Sequence, residues 1–339
     1  MKRGILSLIG QRLLGAIPSL LAVIVVTFII MRLLPGDPAA FFAGPAASAE
    51  AVEQVREQLG LNRSLPVQFL DYFGALAQAD MGQSFTTGQP VTTDLLERLP
   101  ASLELTLLGL AFAVLFGLPL GILSATRPNS WIDQLTRLLT TTGTCLPTFF
   151  TGLLLIYVFY YLLGWAPPPL GRLDLMLSPP DNVTGFYLID SLLAGDLETF
   201  RSALAQLALP AITLGFFALA PLARMTRAGL LGVLSSDFVR TARACGLRGH
   251  VVLWRYALRN TLLPILNTMG MVFSYMLGIN VLVEKVFAWP GVGSYALEAL
   301  VASDYAPVQG FVLIIAMLYV LLNLCVDIAC TLVDRRLEQ

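Results

Sequence analysis

The amino-acid sequence predicts an all-α integral membrane protein with six transmembrane helices. Of its 339 residues 56% are hydrophobic and 13% charged, and the mean hydropathy is +0.76, which is too apolar for a soluble globular domain. Six long runs contain no Asp, Glu, Lys or Arg. The basic residues between these runs are unevenly distributed, and this asymmetry orients the helices in the membrane.

The six charge-free runs are 19 to 34 residues long, and about 20 apolar residues suffice to cross the hydrocarbon core. They are Leu13–Met31, Leu105–Thr126, Leu138–Gly171, Ser202–Ala223, Asn260–Val283 and Tyr305–Val326. The third run is too long for one simple span. Trp165 and the prolines at 167–169 mark its exit from the membrane, so we expect one helix followed by a loop.

The positive-inside rule predicts that both termini are cytoplasmic. This orientation puts 14 of the 21 Lys and Arg residues inside, with only 5 of the 22 Asp and Glu residues. Lys2 and Arg3 before an apolar run also resemble a signal peptide. However, the run of 19 residues is longer than a usual signal core, and no small-residue cleavage site follows it. Residues 1–31 are therefore expected to be the N-terminus and a retained first helix.

Two long loops are predicted on the outer side. Residues 32–104 contain an amphipathic pattern from Glu50 to Gly60 and an apolar helical pattern from Leu65 to Leu76, which predict a small helical subdomain outside the membrane. The loop 171–201 is acidic, and it is either a partner surface or a solvated face. Residues 105–339 form the predicted transmembrane core, with a cytoplasmic segment at 224–264.

The segment 224–264 carries seven arginines against the single acid Asp237. An arginine at mid-bilayer costs about 2.5 to 3.5 kcal/mol on insertion scales, so this segment must lie outside the lipid. Ser235, Ser236 and Asp237 are typical helix-starting residues. One apolar face is then expected at Phe238, Ala242 and Cys245.

Glycines 246 and 249 interrupt this pattern before a second one at Val251, Trp254 and Leu258. The segment is therefore predicted to form a helix, a break and a second helix. A loop that only carries positive charge needs neither an apolar face nor a glycine corner. The pattern thus favours a surface on which another protein docks.

Several catalytic arrangements are excluded by composition. His250 is the single histidine, and Lys2 and Lys285 are the only lysines, so no HExxH motif and no phosphate-binding GxxxxGK[ST] loop is present. No predicted span has a carboxylate at its middle, as an ion-coupled transporter usually has. We expect a chain that is not an enzyme, binds no cofactor or metal, and depends on a partner for energy.

Polar residues within the predicted spans are candidates for a transport path. Asn267, Ser274 and Asn280 lie in the fifth predicted helix and Asn323 in the sixth. Lipid cannot satisfy their hydrogen bonds, so they face protein or an aqueous path. Hydrogen bonding between helices is the alternative. In the second helix, Gly117 and Gly121 are spaced for close helix approach.

Several stretches resemble one family of bacterial membrane proteins. Arg240–Gly246 (RTARACG), followed by Ala257–Asn260 and Leu263–Pro264, resembles the EAA loop of ABC-importer permeases in its peptide-permease form. Similarity extends over nearly the whole chain, at Leu34–Pro38, Thr184–Asp190, Phe287–Gly293, Asp304–Gly310, Asn323–Asp327 and Asp334–Leu337. The chain resembles the B-type subunits of the dipeptide/oligopeptide (peptide/nickel) family. This resemblance implies the type I ABC-importer permease fold.

In that family the EAA loop forms short coupling helices that seat in a groove of an ATPase subunit. The resemblance therefore implies a coupling role for matching residues of this chain, which are Asp237, Arg240, Thr241, Ala242, Arg243, Ala244, Gly246, Leu258, Arg259 and Asn260. Cys245 stands where lysine is frequent.

The implied function is a permease subunit of an ATP-driven importer for di- or oligopeptides in the bacterial inner membrane. The implied partners are a second permease of the C type, two ATP-binding subunits that carry ATP and Mg, and a periplasmic substrate-binding protein. No nucleic-acid partner is implied. Three alternatives stay open: a secondary transporter or channel, a permease of this family for nickel, glutathione or haem, and a membrane scaffold without transport.

Overall fold

The computed structural model describes residues 2–33, 36–44 and 46–333, with side chains from residue 9 onward. Leu34 and Pro35 of one quoted motif, and the whole terminal motif Asp334–Leu337, lie outside the described residues. Within the described part the chain is helical. The only other pairing found there is an isolated bridge between Gln83 and Pro90.

The first half of the chain forms α1 (Lys2–Leu33), α2 (Pro38–Ala43), α3 (Ala49–Gln58), α4 (Leu65–Ala77), α5 (Val91–Thr126), α6 (Trp131–Cys145) and α7 (Thr148–Leu155), which continues as a π-helical segment, Ile156–Leu162. The second half forms α8 (Tyr187–Leu193), α9 (Leu197–Leu234), α10 (Asp237–Ala244), α11 (Gly249–Val251), α12 (Leu258–Val286), α13 (Val292–Val301) and α14 (Tyr305–Val333). A π-helical segment, Val252–Ala257, joins α11 to α12.

Five continuous helices of the described chain are long and apolar enough to cross a membrane, and the bent pair of α6 with α7 and its π-helical continuation brings the number to six when it is counted as one span. The prediction of one helix in this third run is wrong, because the two halves meet at 108°. Pro147 supplies no N–H to continue α6, and Leu146 before it is extended (ψ 130°). The helical part ends at Leu162, shortly before Trp165, where the sequence predicts the exit into a loop.

Helix α9 is the centre of the bundle. It packs along α5, and the predicted close approach at Gly117 and Gly121 is confirmed. A Cβ at Gly117 would lie 3.2 Å from the Leu219 carbonyl oxygen, and one at Gly121 only 2.7 Å from that of Ala223. Buried Leu, Met and Val side chains of α5, α9 and α12 fill the core between them. Helices α1 and α14 lie at the periphery, and few of their described side chains are buried.

The two helices predicted outside the membrane in residues 32–104 are present as α3 and α4. The Ser48 hydroxyl caps α3 by accepting a hydrogen bond from Ala51 N at 3.3 Å. The bundle thus has two ends. The basic end carries the turn 127–130 and residues 235–248. The opposite end carries residues 36–90, 163–196 and 287–304.

Candidate functional site

The arginine-rich stretch is only partly a loop. Helix α9 continues to Leu234, so Arg224 and Arg227 belong to the last turns of a spanning helix. The segment between long helices is therefore 235–248, shorter than the predicted 224–264. Residues 235–248 are called the docking segment below.

Helix α10 of the docking segment begins and ends where its sequence predicts. Ser236 precedes it, and it ends in a Schellman motif, in which Gly246 N donates to Arg243 O at 2.9 Å and Leu247 N donates to Ala242 O at 3.2 Å. Gly246 has φ +79°, a left-handed conformation that glycine adopts without strain. The chain therefore turns sharply after α10.

The buried face of α10 differs from the predicted one. Val239 and Ala242 are buried, and they pack against Val252 and the end of α9. Of the predicted apolar face, Ala242 is buried, whereas Phe238 is 46% exposed and Cys245 is exposed. In a helix of eight residues, the spacing of apolar side chains is compatible with two adjacent faces. The position of α9 determines which of these faces of α10 is buried.

The prediction of a separate second helix with Val251, Trp254 and Leu258 is also wrong. From Gly249 the backbone stays helical through the π-helical segment into α12. No breaking residue separates Val251 from Leu258, and Pro264 lies inside α12 without ending it. The docking segment is thus one short helix set at a glycine corner before a long helix.

Most of the residues given a coupling role lie on the surface of the basic end. Those exposed are Asp237, Arg240, Thr241, Arg243, Ala244, Gly246, Arg259 and Asn260, whereas Leu258 is half-buried and Ala242 is buried. The exposed aromatic side chains of Phe238, Trp254 and Tyr256 lie in the same part of the chain. Arginine and aromatic residues are enriched in protein interfaces, so this surface has the composition of a binding site.

Beneath this surface, Asp133 joins three helices. Its carboxylate is fully buried and accepts from Arg227 Nε at 2.7 Å and from Arg227 Nη2 at 2.9 Å. It also accepts from Asn129 N at 2.9 Å and from the Ser124 hydroxyl. Arg227 is one of the seven arginines of the segment 224–264, and its partner is 94 residues away in sequence. The ion pair ties α9 to the turn between α5 and α6.

A second buried carboxylate, Glu284 of α12, organises the opposite end. It accepts from Asn280 Nδ2 and Ser294 N, both at 2.8 Å, and from the Ser102 hydroxyl of α5. A Cβ at Gly291 would lie 2.2 Å from Glu284 Oε1, so the glycine allows the chain to pass against this carboxylate. Gly291 immediately precedes α13, and Gly293 lies in its first turn.

Nearby, the loop 163–186 is held by Arg172. Its guanidinium donates to Glu104 Oε2 at 2.7 Å and to Gly185 O at 2.8 Å, and it lies 3.4 Å from the ring centre of Tyr187. Glu104 also accepts from Leu188 N at 2.9 Å. The acidic loop is therefore partly folded onto α5 instead of being wholly a solvated face.

Asp190 closes the Thr184–Asp190 motif as a turn. It accepts from Thr184 N and Gly185 N, each at 2.9 Å, and from the Thr184 hydroxyl at 2.7 Å. Burial alone would raise the pKa of Asp190, but these hydrogen bonds outweigh it and hold the pKa below its ordinary value. This quoted motif therefore has a structural role.

The four polar residues proposed for a transport path are not gathered in one place. Asn280 is buried against Ser102 and Glu284, whereas Asn267 is exposed and accepts from Cys330 Sγ at 3.4 Å. These two lie about 20 Å apart along α12 at 1.5 Å per residue. The Ser274 hydroxyl bonds Gly270 O, and Asn323 bonds Tyr319 O on α14.

Sequence reasoning missed Asp133, Glu104 and Glu284. Glu104 immediately precedes one charge-free run and Glu284 immediately follows another. A charge at the very edge of a span is therefore the signal that could have found them. For Asp133 we find no comparable signal.

Comparison with known proteins decides the family. Residues 117–339 match the family described as binding-protein-dependent transport system inner membrane component, and residues 5–106 match its N-terminal counterpart. The chain belongs to this family. The first match contains the docking segment and α12, and the second contains most of α1 together with α3 and α4.

Two full-length relatives of this transport-system membrane component support the assignment. The chain is 45% identical to the probable D,D-dipeptide transport system permease protein DdpB of Escherichia coli K12, over 98% of this chain and 97% of the relative. It is 37% identical to the glutathione transport system permease protein GsiC of Salmonella typhimurium LT2, over 95% and 96% respectively.

One solved structure confirms the expected ABC-importer permease fold. It is described as inward facing conformations of the MetNI methionine ABC transporter. The matched chain aligns with a TM-score of 0.53 and 17% sequence identity, over 72% of this chain and 97% of that chain. At this identity the likeness concerns the fold alone.

Proposed function

We propose that this chain is one of two permease subunits of an ATP-driven importer, and that its docking segment binds a cytoplasmic ATPase subunit. The supporting observation is the exposed helix α10 at the basic end, set at a glycine corner and surrounded by exposed Phe238, Trp254 and several arginines. ATP and Mg bind to two partner subunits, and this chain hydrolyses nothing. A C-type permease and a periplasmic substrate-binding protein complete the assembly.

The proposed cargo is a short peptide. This proposal follows from the relatives, whose names specify a D,D-dipeptide and glutathione, itself a peptide derivative. Asn267, Ser274, Asn280 and Asn323 remain the candidates for contact with the path. Nickel chelates and haem are the other solutes to be compared.

Reconstitution into vesicles tests the class of transporter. The complete complex should take up peptide only with ATP and the loaded binding protein, and this chain alone should be inactive. Flux through this chain alone would instead establish a secondary transporter or channel. A complex that assembles but moves no candidate solute would favour a scaffold.

Competition for uptake tests the cargo. Labelled dipeptide uptake should be inhibited by excess di- or tripeptide, and not by haem or a nickel chelate. Strong inhibition by glutathione, with little by dipeptides, would assign the chain to the glutathione branch.

Labelling with a membrane-impermeant thiol reagent tests the proposed orientation, in which both termini are cytoplasmic. Cys245 is exposed on the docking segment, and Ser178 is exposed at the opposite end. In a variant lacking the other cysteines, Cys245 should react only after the cells are opened. With Ser178→Cys as the single cysteine, intact spheroplasts should be labelled, and the reverse pattern would overturn the orientation.

A further inference from the structure

We propose that Asp133 and Arg227 form a mechanical joint that transmits movement of the docking segment to the bent span α6–α7. The proposal rests on the proposed function, because it presumes that α10 receives the force of an ATPase. Asp133 and Arg227 are positioning residues, since neither lies on the exposed surface of the docking segment.

Helix α10 is attached to the bundle through its buried face. Its buried residues Val239 and Ala242 pack against Val233 and Leu234 of α9 and against Val252. A groove of about 530 Å³ lies between Arg243 of α10 and Pro128 of the α5–α6 turn. Force on α10 is therefore carried into the bundle through α9 and through the π-helical segment that leads into α12.

Helix α9 is bonded to the turn between α5 and α6 through Arg227. Arg227 lies two helical turns before Leu234, and two of its nitrogens, Nε and Nη2, bond the two carboxylate oxygens of Asp133. Such a two-point pair fixes orientation as well as distance. The same carboxylate binds Asn129 N and the Ser124 hydroxyl, so it also fixes the turn itself. Because Asp133 has no exposed surface, water does not compete for these bonds.

Beyond the joint, α6 leads to the bend in the third span. Asp133 is in the first turn of α6, which runs to the 108° bend at Leu146–Pro147. Helix α9 touches both halves of the bent span, since a Cβ at Gly143 would meet Phe216 O at 3.1 Å and one at Gly152 would meet Thr213 Cγ2 at 3.4 Å. With α6 fastened to α9, the break at Pro147 is where the span can change its angle.

Two substitutions test the joint in the reconstituted complex. Asp133→Asn removes the charge, and Arg227→Lys keeps the charge but loses the planar two-point geometry. Both variants should assemble and hydrolyse ATP, with peptide uptake per ATP reduced at least tenfold. Arg137→Gln is the control: Arg137 approaches the same carboxylate at 3.3 Å but is 53% exposed, so its loss should leave the ratio unchanged.

A merely structural role would lower the yield of complex and leave uptake per ATP normal in the complex that remains. That result, or a normal ratio in Arg227→Lys, would overturn the proposal. Failure of the proposed function gives a different result from failure of the joint. If α10 does not bind an ATPase, substitutions on its exposed face will leave ATPase binding intact. If the α10 variants lose ATPase binding while the Asp133 and Arg227 variants keep normal uptake per ATP, only the joint is rejected.

Discussion

At the scale of single residues, two glycines have different reasons to be glycine. Gly246 needs its left-handed backbone, and nothing lies within 4 Å of a Cβ built on it. Gly291 has an extended backbone (φ −96°, ψ 179°) but no room for a Cβ. The first could be predicted as a helix stop from sequence. The second could not, because the carboxylate that crowds it becomes its neighbour only in the folded chain.

Gly246→Val should therefore strain the corner after α10 without a steric clash. A β-branched residue in this left-handed conformation costs about 1 to 2 kcal/mol. The backbone should relieve this strain by changing its direction at residue 246, and this changes the orientation of α10. ATPase stimulation by loaded binding protein should fall, while the complex still assembles. Gly249→Val is the control, since its φ is negative and no atom lies within 4 Å of its Cβ position. Equal effects of the two substitutions would contradict the corner model.

Gly291→Ala should destabilise the opposite end. The added methyl group would displace the Glu284 carboxylate and the Ser102 hydroxyl, which breaks a buried network at about 2 to 4 kcal/mol. Thermal unfolding of the purified protein in detergent should show the loss as a lower midpoint. Gly278→Ala lies on the same stretch of chain with open space around its Cβ, and it should not lower the midpoint.

At the scale of elements, periodicity located the helices but not their faces or breaks. Charge-free runs predicted the five long apolar helices and the bent pair of α6 and α7, because lipid excludes charge along the whole length of a helix. The bend at Pro147 follows from a proline that interrupts α6 locally, a signal that the length of a charge-free run does not contain. The buried face of α10 depends on where α9 lies, and the sequence spacing contains no information about that. Phe238, predicted on one apolar face with Ala242, is exposed because α9 packs against the adjacent face of α10.

The combined substitution Phe238→Ala and Trp254→Ala tests the exposed face of the basic end. Buried aromatic anchors in interfaces contribute about 2 kcal/mol each, so the affinity for the ATPase subunit should fall at least thirtyfold. The folded permease should be unaffected, since Phe238 and Trp254 are 46% and 59% exposed. Binding is measured by titrating detergent-solubilised permease with purified ATPase subunit. Met176→Ala, at an exposed apolar position of the opposite end, is the control and should bind normally.

At the scale of the whole molecule, buried polar networks fasten both ends of the bundle. Asp133 and Arg227 fix the basic end, and Glu284, Glu104 and Arg172 fix the opposite end. The docking segment is attached outside the first network and remains largely exposed. Two motifs that carry the family resemblance at the opposite end supply parts of the second network: Gly185 O of Thr184–Asp190 accepts from Arg172, and Val292 N of Phe287–Gly293 donates to the Ser102 hydroxyl. These two motifs therefore have a structural role.

The central claim is that α10 docks an ATPase, and a cross-link from Cys245 tests it most directly. In a complex whose permease has Cys245 as its single cysteine, a thiol-attached photo-cross-linker should join this chain to the ATP-binding subunit. The yield should change when ATP is added, because coupling requires different contacts in the two states. The same reagent at Ser178→Cys should give no ATPase product. Cross-linking of Cys245 only to lipid or to the other permease would contradict the account.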